Sequence, residues 1–244
     1  MFMRRNTPAA IGALRKAYAL LGSMQISMSN LNLPNAVLET WSAQVTTAEL
    51  TWVLPDGCQD LIWCGSAQGV GEWFVTDLAD SAYAVQCNPG DYFIGFRCKP
   101  GVQFATETLL QAMQHCHLDD TSKILSYLEE CTSINQDVIE ALMVLAKTSS
   151  VADSARLLGI SERSLERHLQ RLTDRTPCYW RNLARVRRAG AELAHASSLS
   201  TLAANHGYAD QAHMSRAFKQ WFAHSPNVLK NDPRLRAALS ISGY

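Results

Sequence analysis

The chain has 244 residues, 47% of them hydrophobic, and its 22 Lys+Arg balance 22 Asp+Glu to a formal net charge of zero. That composition excludes a disordered, highly charged tail and a small scaffold needing staples; at ~100–200 residues per domain it fits one or two domains, each burying its own core. Neutrality also argues against a nucleic-acid partner until the chain is divided. Residues 1–145 carry 7 basic and 15 acidic side chains and residues 146–244 carry 15 and 7, so the halves are −8 and +8. A basic half restores that partner.

In chain order, residues 1–24 are basic and amphipathic, interrupted by polar residues, and no apolar run approaches the ~18 residues needed to cross a bilayer. This predicts neither a signal peptide nor a membrane partner. The seven cysteines, Cys58, Cys64, Cys87, Cys98, Cys116, Cys131 and Cys178, are odd in number and include no CxxC pair, which predicts reduced thiols and a cytoplasmic location.

From about Leu31 to Phe104, short apolar runs (LTWVLPDG, DLIWCG, EWFVTD, YAVQCNPGDYFIGFRCKPG) alternate with Asp-Gly, Pro-Gly and Lys-Pro-Gly turn signals. Aromatic and β-branched residues so punctuated predict a small antiparallel β domain. Asp56, Cys58, Asp60 and Arg97 are its candidates for holding a polar small-molecule effector; the plainer reading is that they cap turns and pair across the sheet. Residues 1–114 contain no histidine, which excludes a metal-dependent β-barrel enzyme built on several histidines. His115-Cys116-His117 offers ligand types for zinc, yet three adjacent helical residues point in different directions. Cys58 and Cys64, near the two ends of one strand, are candidates for a redox pair or for ordinary thiols. No cofactor and no metal are expected.

After Gly101 the chain turns helical from about Glu107 onward, with Asp119, Asp120, Thr121 and Ser122 as N-cap candidates. Ile124, Leu125 and Leu128, then Val138, Leu142 and Leu145, keep helical spacing. Residues 105–146 read as a helical bridge, giving domains at 1–146 and 147–244 and an α+β chain: a β-rich sensing or dimerising domain followed by an all-α domain.

Residues 148–172 (TSSVADSARLLGISERSLERHLQRL) place Val151, Ala155 and Leu158 on one stripe, Gly159 as a C-cap, Ser161 as an N-cap, and Leu165, Leu169 and Leu172 on the buried face of a second helix. Arg163, Ser164, Glu166, Arg167, Gln170 and Arg171 are left outward or to the flanks. Helix, glycine turn and helix with a polar outer face make a helix-turn-helix. The plan recurs about 48 residues later: Leu199, Leu202 and Ala203 line a first helix, Gly207 turns the chain, Asp210 caps, and Met214, Phe218 and Phe222 face inward. Gln211, Ala212, Ser215, Arg216 and Lys219 face outward, with His213 at the edge. A connecting helix from about Tyr179 to His195 would let both units reach one duplex, whose successive major grooves lie roughly 34 Å apart.

Residues 148–230 resemble the DNA-binding domain of AraC-type transcriptional regulators. The matching residues are Gly159-Ile160-Ser161, Leu165, Arg167, Pro177, Arg185 and Ala189, then Gly207-Tyr208, Asp210-Gln211, Ser215-Arg216-Ala217-Phe218-Lys219 and Ser225-Pro226. Asp174 and Ala223 stand where that family usually has glycine, Met214 where it has phenylalanine and Ala212 where serine is common. Ala223 is the least comfortable of these, because alanine disfavours the left-handed backbone. The segments LPDGCQDLIW and GDYFIGFRCKPG, within roughly residues 50–120, resemble an uncharacterised domain often found before AraC-type helices, which implies a sensing or dimerising role.

The resemblance implies sequence-specific binding to double-stranded DNA through Arg163, Ser164, Arg167, Gln170 and Arg171 of one recognition helix and Gln211, His213, Ser215, Arg216 and Lys219 of the other. Arginine can grip guanine O6 and N7 with two hydrogen bonds, whereas Lys219 suits a phosphate. Arg175, Arg181, Arg187 and Arg188 add charge around the linker helix for phosphate or solvent, and the family position of Arg185 implies a structural ion pair. A regulator of this kind also implies a small-molecule effector, a homodimer and contact with RNA polymerase as partners. The alternatives are a thiol-based redox or metal sensor with DNA-binding output, and a thiol-dependent enzyme fused to a DNA-binding module; no nucleophile motif supports an enzyme. A fragment from about residue 146 onward is expected to bind DNA more tightly and less selectively than the whole chain.

Overall fold

The computed structural model describes residues 33–66 and 70–244. The basic N-terminal segment and Leu31, where the β pattern was expected to begin, lie outside the described residues. The chain forms two compact units: the first comprises residues to Val53, Cys58–Leu78 and Tyr83–Ser133, the second Leu54–Gly57, Ala79–Ala82 and Ile134–Tyr244.

The first unit is the expected antiparallel β structure. It contains β1 (Val37–Gln44), β2 (Glu49–Val53), β3 (Asp60–Ser66), β4 (Gly71–Val75), β5 (Tyr83–Cys87), β6 (Asp91–Cys98) and β7 (Val102–Phe104). Strands β1, β6, β3 and β4 form one sheet in that order, each neighbour antiparallel, and β2 pairs antiparallel with β5. The punctuation seen in the sequence is where the strands end: Gly57, Gly90 and Gly101 have positive φ. Ala43, Val45, Val53, Ile62, Phe74, Val85, Cys87 and Phe93 form one buried cluster. Gly95 on β6 lies under the indole of Trp41, where a Cβ would fall 2.0 Å from Cε2, so only glycine lets β1 and β6 pair there.

Helices α1 (Thr106–Met113) and α2 (Thr121–Cys131) follow, then the short strand β8 (Thr132–Ile134), which pairs with β7 and crosses the division between units. Ile124, Leu125 and Leu128 are buried as their spacing requires; Asp120 stands at the N-cap of α2, though its side chain makes no capping bond.

The second unit holds α3 (Gln136–Lys147), α4 (Val151–Leu157), α5 (Glu162–Thr173), α6 (Pro177–Glu192), α7 (Leu199–Asn205), α8 (Gln211–Phe222), α9 (Pro226–Asn231) and α10 (Pro233–Leu239). By contacts, the span 105–146 is shared: α1 and α2 belong to the first unit and α3 to the second, and the units divide at Ser133/Ile134, where the sequence led us to expect 146/147. The reason is burial. Val138, Ala141, Leu142 and Leu145 form the apolar face of α3, which packs against α4, α5 and α6. A helix-turn-helix pair is too small to bury its own core without such a third helix.

Candidate nucleic-acid interface

Both helix-turn-helix units are built by the same local chemistry. Ser150 Oγ accepts from Asp153 N to start α4, and Ser198 Oγ accepts from Thr201 N to start α7. The first helices end in matching glycine turns. Gly159 (φ 69) and Gly207 (φ 67) are left-handed; Ile160 N donates to Ala155 O at 3.0 Å and Tyr208 N to Ala203 O at 2.9 Å. These bonds satisfy carbonyls that the helix end would leave open. Ser161 Oγ accepts from Ser164 N to start α5, and Asp210 Oδ1 accepts from His213 N at 2.6 Å to start α8.

The duplication extends past the recognition helices. Asp174 (φ 53) and Ala223 (φ 58) terminate α5 and α8 in the left-handed region, in the two places where glycine is usual. Thr176-Pro177 then caps and opens α6, and Ser225-Pro226 caps and opens α9. From Ser161/Asp210 to Pro177/Pro226 the offset is a constant 49 residues, which sets Leu165 beside Met214, Leu169 beside Phe218, and Arg167 beside Arg216. The first two of these pairs are fully buried, and both arginines are exposed. This longer repeat was readable in the sequence from the two Ser/Thr-Pro steps.

On α5, Arg163, Glu166, Arg167, Gln170 and Arg171 are exposed and Ser164 is half-buried. The buried set is Leu165, Leu169 and Thr173; Leu172, expected among them, is only half-buried, because the face turns toward Thr173, whose hydroxyl donates to Leu169 O and accepts from Trp180 Nε1 at 2.9 Å. In the first helix, Ser154 and Ala155 are the buried residues, with Val151 and Leu158 half-buried at the edges. On α8, Gln211, Ala212, Arg216 and Lys219 are exposed and Ser215 is half-buried. Gln211 Oε1 accepts from Ser200 at 3.1 Å. His213 is held locally: its Nδ1 accepts from Ala209 N at 3.3 Å and its ring meets Tyr208 edge-on at 5.2 Å.

One flank of α5 borders a groove of about 490 Å3, walled by Ser164, Arg167, His168 and Arg171 on one side and by Asp137 and Glu140 of α3 on the other. Its floor is apolar, formed by Ala141, Leu158, Ile160 and Leu165. Two carboxylates therefore share a groove with two arginines of the recognition helix.

The linker arginines divide in a way that composition did not reveal. Arg188 is exposed, but Arg175 pairs with Asp80 at 3.0 Å and lies over the Tyr179 ring, and Arg181 Nε donates to Ser149 O at 2.9 Å. Arg187 is buried, with its guanidinium bonded to three carbonyls. Arg185 was expected in an ion pair. Among the described residues its partners are the Tyr208 ring, 4.4 Å below the guanidinium, and Asn182 Oδ1 at 3.2 Å, because a planar cation stacks on an aromatic face where no carboxylate is in reach. His206 does meet a carboxylate, Glu192, at 3.1 Å.

Of the four effector candidates, Asp60 and Arg97 are neighbours within the first unit, which also holds Cys58. Asp56 belongs to the second unit and Asp60 and Arg97 to the first, where they stand opposite each other on β3 and β6. Both are buried; Arg97 pairs with Glu39 at 3.7 Å, and Asp60 N donates to Thr76 Oγ1 at 2.8 Å. Cys58 is a buried free thiol. Burial pushes the Cys64 thiol up to about 12, helped by Asp91 and Glu72, and Cys87 up to about 11. Burial also raises Cys98 far above the usual thiol range. Among the described residues, no group of three His, Cys, Asp or Glu side chains is placed to hold a metal. No described helix is long and apolar enough to cross a membrane.

Residues 154–232 match the family model described as "Helix-turn-helix domain". No curated protein matches the chain in sequence. Among solved structures, the chain is similar to an AraC-type transcriptional regulator from Chromobacterium violaceum at 23% identity, covering 39% of this chain and 92% of that one with a TM-score of 0.35. It is similar to ToxT from Vibrio cholerae O395 at 10% identity, covering 83% and 98% with a TM-score of 0.45. A ToxT structure from Vibrio cholerae strain SCE256, bound to an unsaturated fatty acid, gives 10% identity, 82% and 96% coverage and a TM-score of 0.40.

Proposed function

We propose that the chain, whose residues 154–232 match a helix-turn-helix family model, is an AraC-type transcription regulator that reads two segments of one DNA duplex through α5 and α8. The observation that carries this is the repeat: Arg167 and Arg216 stand at the same position of the two recognition helices, both exposed. In this reading Arg167 and Arg216 read bases, with Arg163, Gln170, Gln211 and Ser215 beside them. Arg171 and Lys219 meet phosphates, which take half to two-thirds of protein–DNA hydrogen bonds. Ser164 and His213 support the N-terminal turns of their helices. The first unit carries the regulatory input, and a small effector would act by binding two arrangements of the protein unequally.

The test is an electrophoretic titration at several salt concentrations, using duplexes selected from a random pool. Arg167→Ala and Arg216→Ala are each expected to weaken the selected site about 5–150-fold, the loss of ~1–3 kcal/mol of base discrimination, while random DNA is bound nearly as before. Equal binding of selected and random DNA by the unsubstituted protein at physiological salt overturns the proposal.

A further inference from the structure

Helix α6 joins the two helix-turn-helix units, so whatever fixes α6 fixes how α5 and α8 stand to each other. Its firmest anchor is Arg187, 8% exposed. Nη1 donates to Pro55 O at 3.1 Å, Nη2 to Ile241 O at 2.6 Å and Nε to Tyr244 O at 3.1 Å. A guanidinium presents five donors in a rigid fork and no acceptor, so it joins three carbonyls from two distant stretches of chain, residue 55 and residues 241–244, only while all three keep their places. A lysine in that position reaches with one point charge on a flexible stem.

The segments so joined are also tied to one another. Tyr244 N donates to Asp56 O at 2.8 Å, its hydroxyl donates to Leu142 O of α3 at 2.6 Å, and its ring meets Trp180 of α6 edge-on at 5.0 Å. Gly57 closes the arrangement: its φ is +77, and a Cβ there would fall 2.8 Å from Tyr244 Cβ and 2.9 Å from Trp180 Cζ3. A second stretch repeats the theme nearby. Tyr179 Oη donates to Ala79 O at 3.0 Å, Arg175 pairs with Asp80, and Ala82 N donates to Trp221 O at 2.8 Å. All of these residues belong to the second unit. That unit therefore includes chain from far outside residues 154–232, the span of the family match.

We propose that Arg187, acting with the Pro55-Asp56-Gly57 segment and Tyr244, is a positioning residue for two-segment DNA recognition: it holds α6 so that both recognition helices engage one duplex together. The proposal rests on the DNA-reading function above. Two linked modules gain about 10²–10⁴-fold in affinity over one when geometry permits simultaneous engagement, and lose that gain when it does not.

The experiment uses the full chain and two duplexes derived from the selected site, one with both contacted segments and one with the second segment scrambled. Arg187→Lys and Gly57→Ala are expected to lower affinity for the two-segment duplex about 10–100-fold while changing the one-segment duplex less than about threefold. Thermal melting of each variant, followed by circular dichroism, identifies those that keep a cooperative fold. If neither variant does, Tyr244→Phe decides on the same ratio, since it removes one hydroxyl bond and keeps the ring; a drop of at least about threefold in the two-segment preference is then expected. A parallel fall on both duplexes, or an unchanged ratio in a cooperatively folded variant, overturns the positioning role and leaves the DNA-reading function standing. An unsubstituted protein that does not prefer selected DNA overturns that function instead.

Discussion

At the scale of single residues, the two left-handed helix ends offer a direct stability test. A non-glycine residue in that region costs roughly 1–2 kcal/mol, less for Asp than for Ala, because a short polar side chain is better tolerated there. Ala223→Gly is expected to raise stability by about 1 kcal/mol and Asp174→Gly by less, read as shifts in the urea midpoint at unchanged slope. The buried thiols predict a pH dependence. Cys64 and Cys87 ionise at about 12 and about 11 in the folded protein against 9.0 ordinarily, so from about pH 9 upward the unfolded chain releases protons that the folded chain keeps. Stability then falls as pH rises. Urea midpoints measured at pH 8, 9 and 10 should decline, and the decline should shrink in a Cys64→Ala/Cys87→Ala variant. The resemblance to AraC-type domains marked Asp174 and Ala223 as departures, because that pattern usually has glycine at both places. The sequence assigned Arg175, Arg181 and Arg187 to phosphate or solvent because nothing in a string of letters says which carbonyls and carboxylates will surround an arginine.

Among the elements, α3 changes most between sequence and structure. Read as a bridge, it is instead the third helix that completes the core of the first helix-turn-helix, and its Asp137 and Glu140 border the groove beside Arg167 and Arg171. Carboxylates that close to a phosphate-seeking surface repel DNA over the ~8–10 Å that physiological salt leaves unscreened. Asp137→Asn/Glu140→Gln is therefore expected to tighten DNA binding several-fold at low salt, with the gain fading as salt rises; titrations at 50 and 300 mM salt measure both. No periodicity in the sequence could reveal this groove, because α3 and α5 are adjacent only after α3 packs against α4, α5 and α6. The recognition helices themselves were legible throughout: their caps, glycine turns and buried leucines are local signals, and the bonds from Ile160 to Ala155 and from Tyr208 to Ala203 span only five residues.

For the whole molecule, the charge division is smaller than the sequence implied. Counted by the two compact units, the second carries 15 basic and 11 acidic residues and the first 7 and 11, so the units are +4 and −4 instead of +8 and −8. The difference is four carboxylates, Asp56, Asp80, Asp137 and Glu140, that the fold assigns to the DNA-binding unit. The same assignment alters the fragment experiment. A fragment from residue 146 lacks α3, and with it the burial of Val138, Leu142 and Leu145, each worth about 1.5–3 kcal/mol. That loss is comparable with the whole stability of a domain, about 5–15 kcal/mol. A fragment from Ile134 should melt cooperatively by circular dichroism, and one from residue 146 should not. Sequence alone determined the β-rich and helical halves, both helix-turn-helix units and their exposed arginines, because alternation, helical spacing, caps and glycine turns act over a few residues. Only the tertiary structure decided where the units divide, which arginines remain open to DNA and how residues 54–57 and 79–82 join the second unit, because those outcomes depend on contacts between residues from about 20 to more than 100 positions apart.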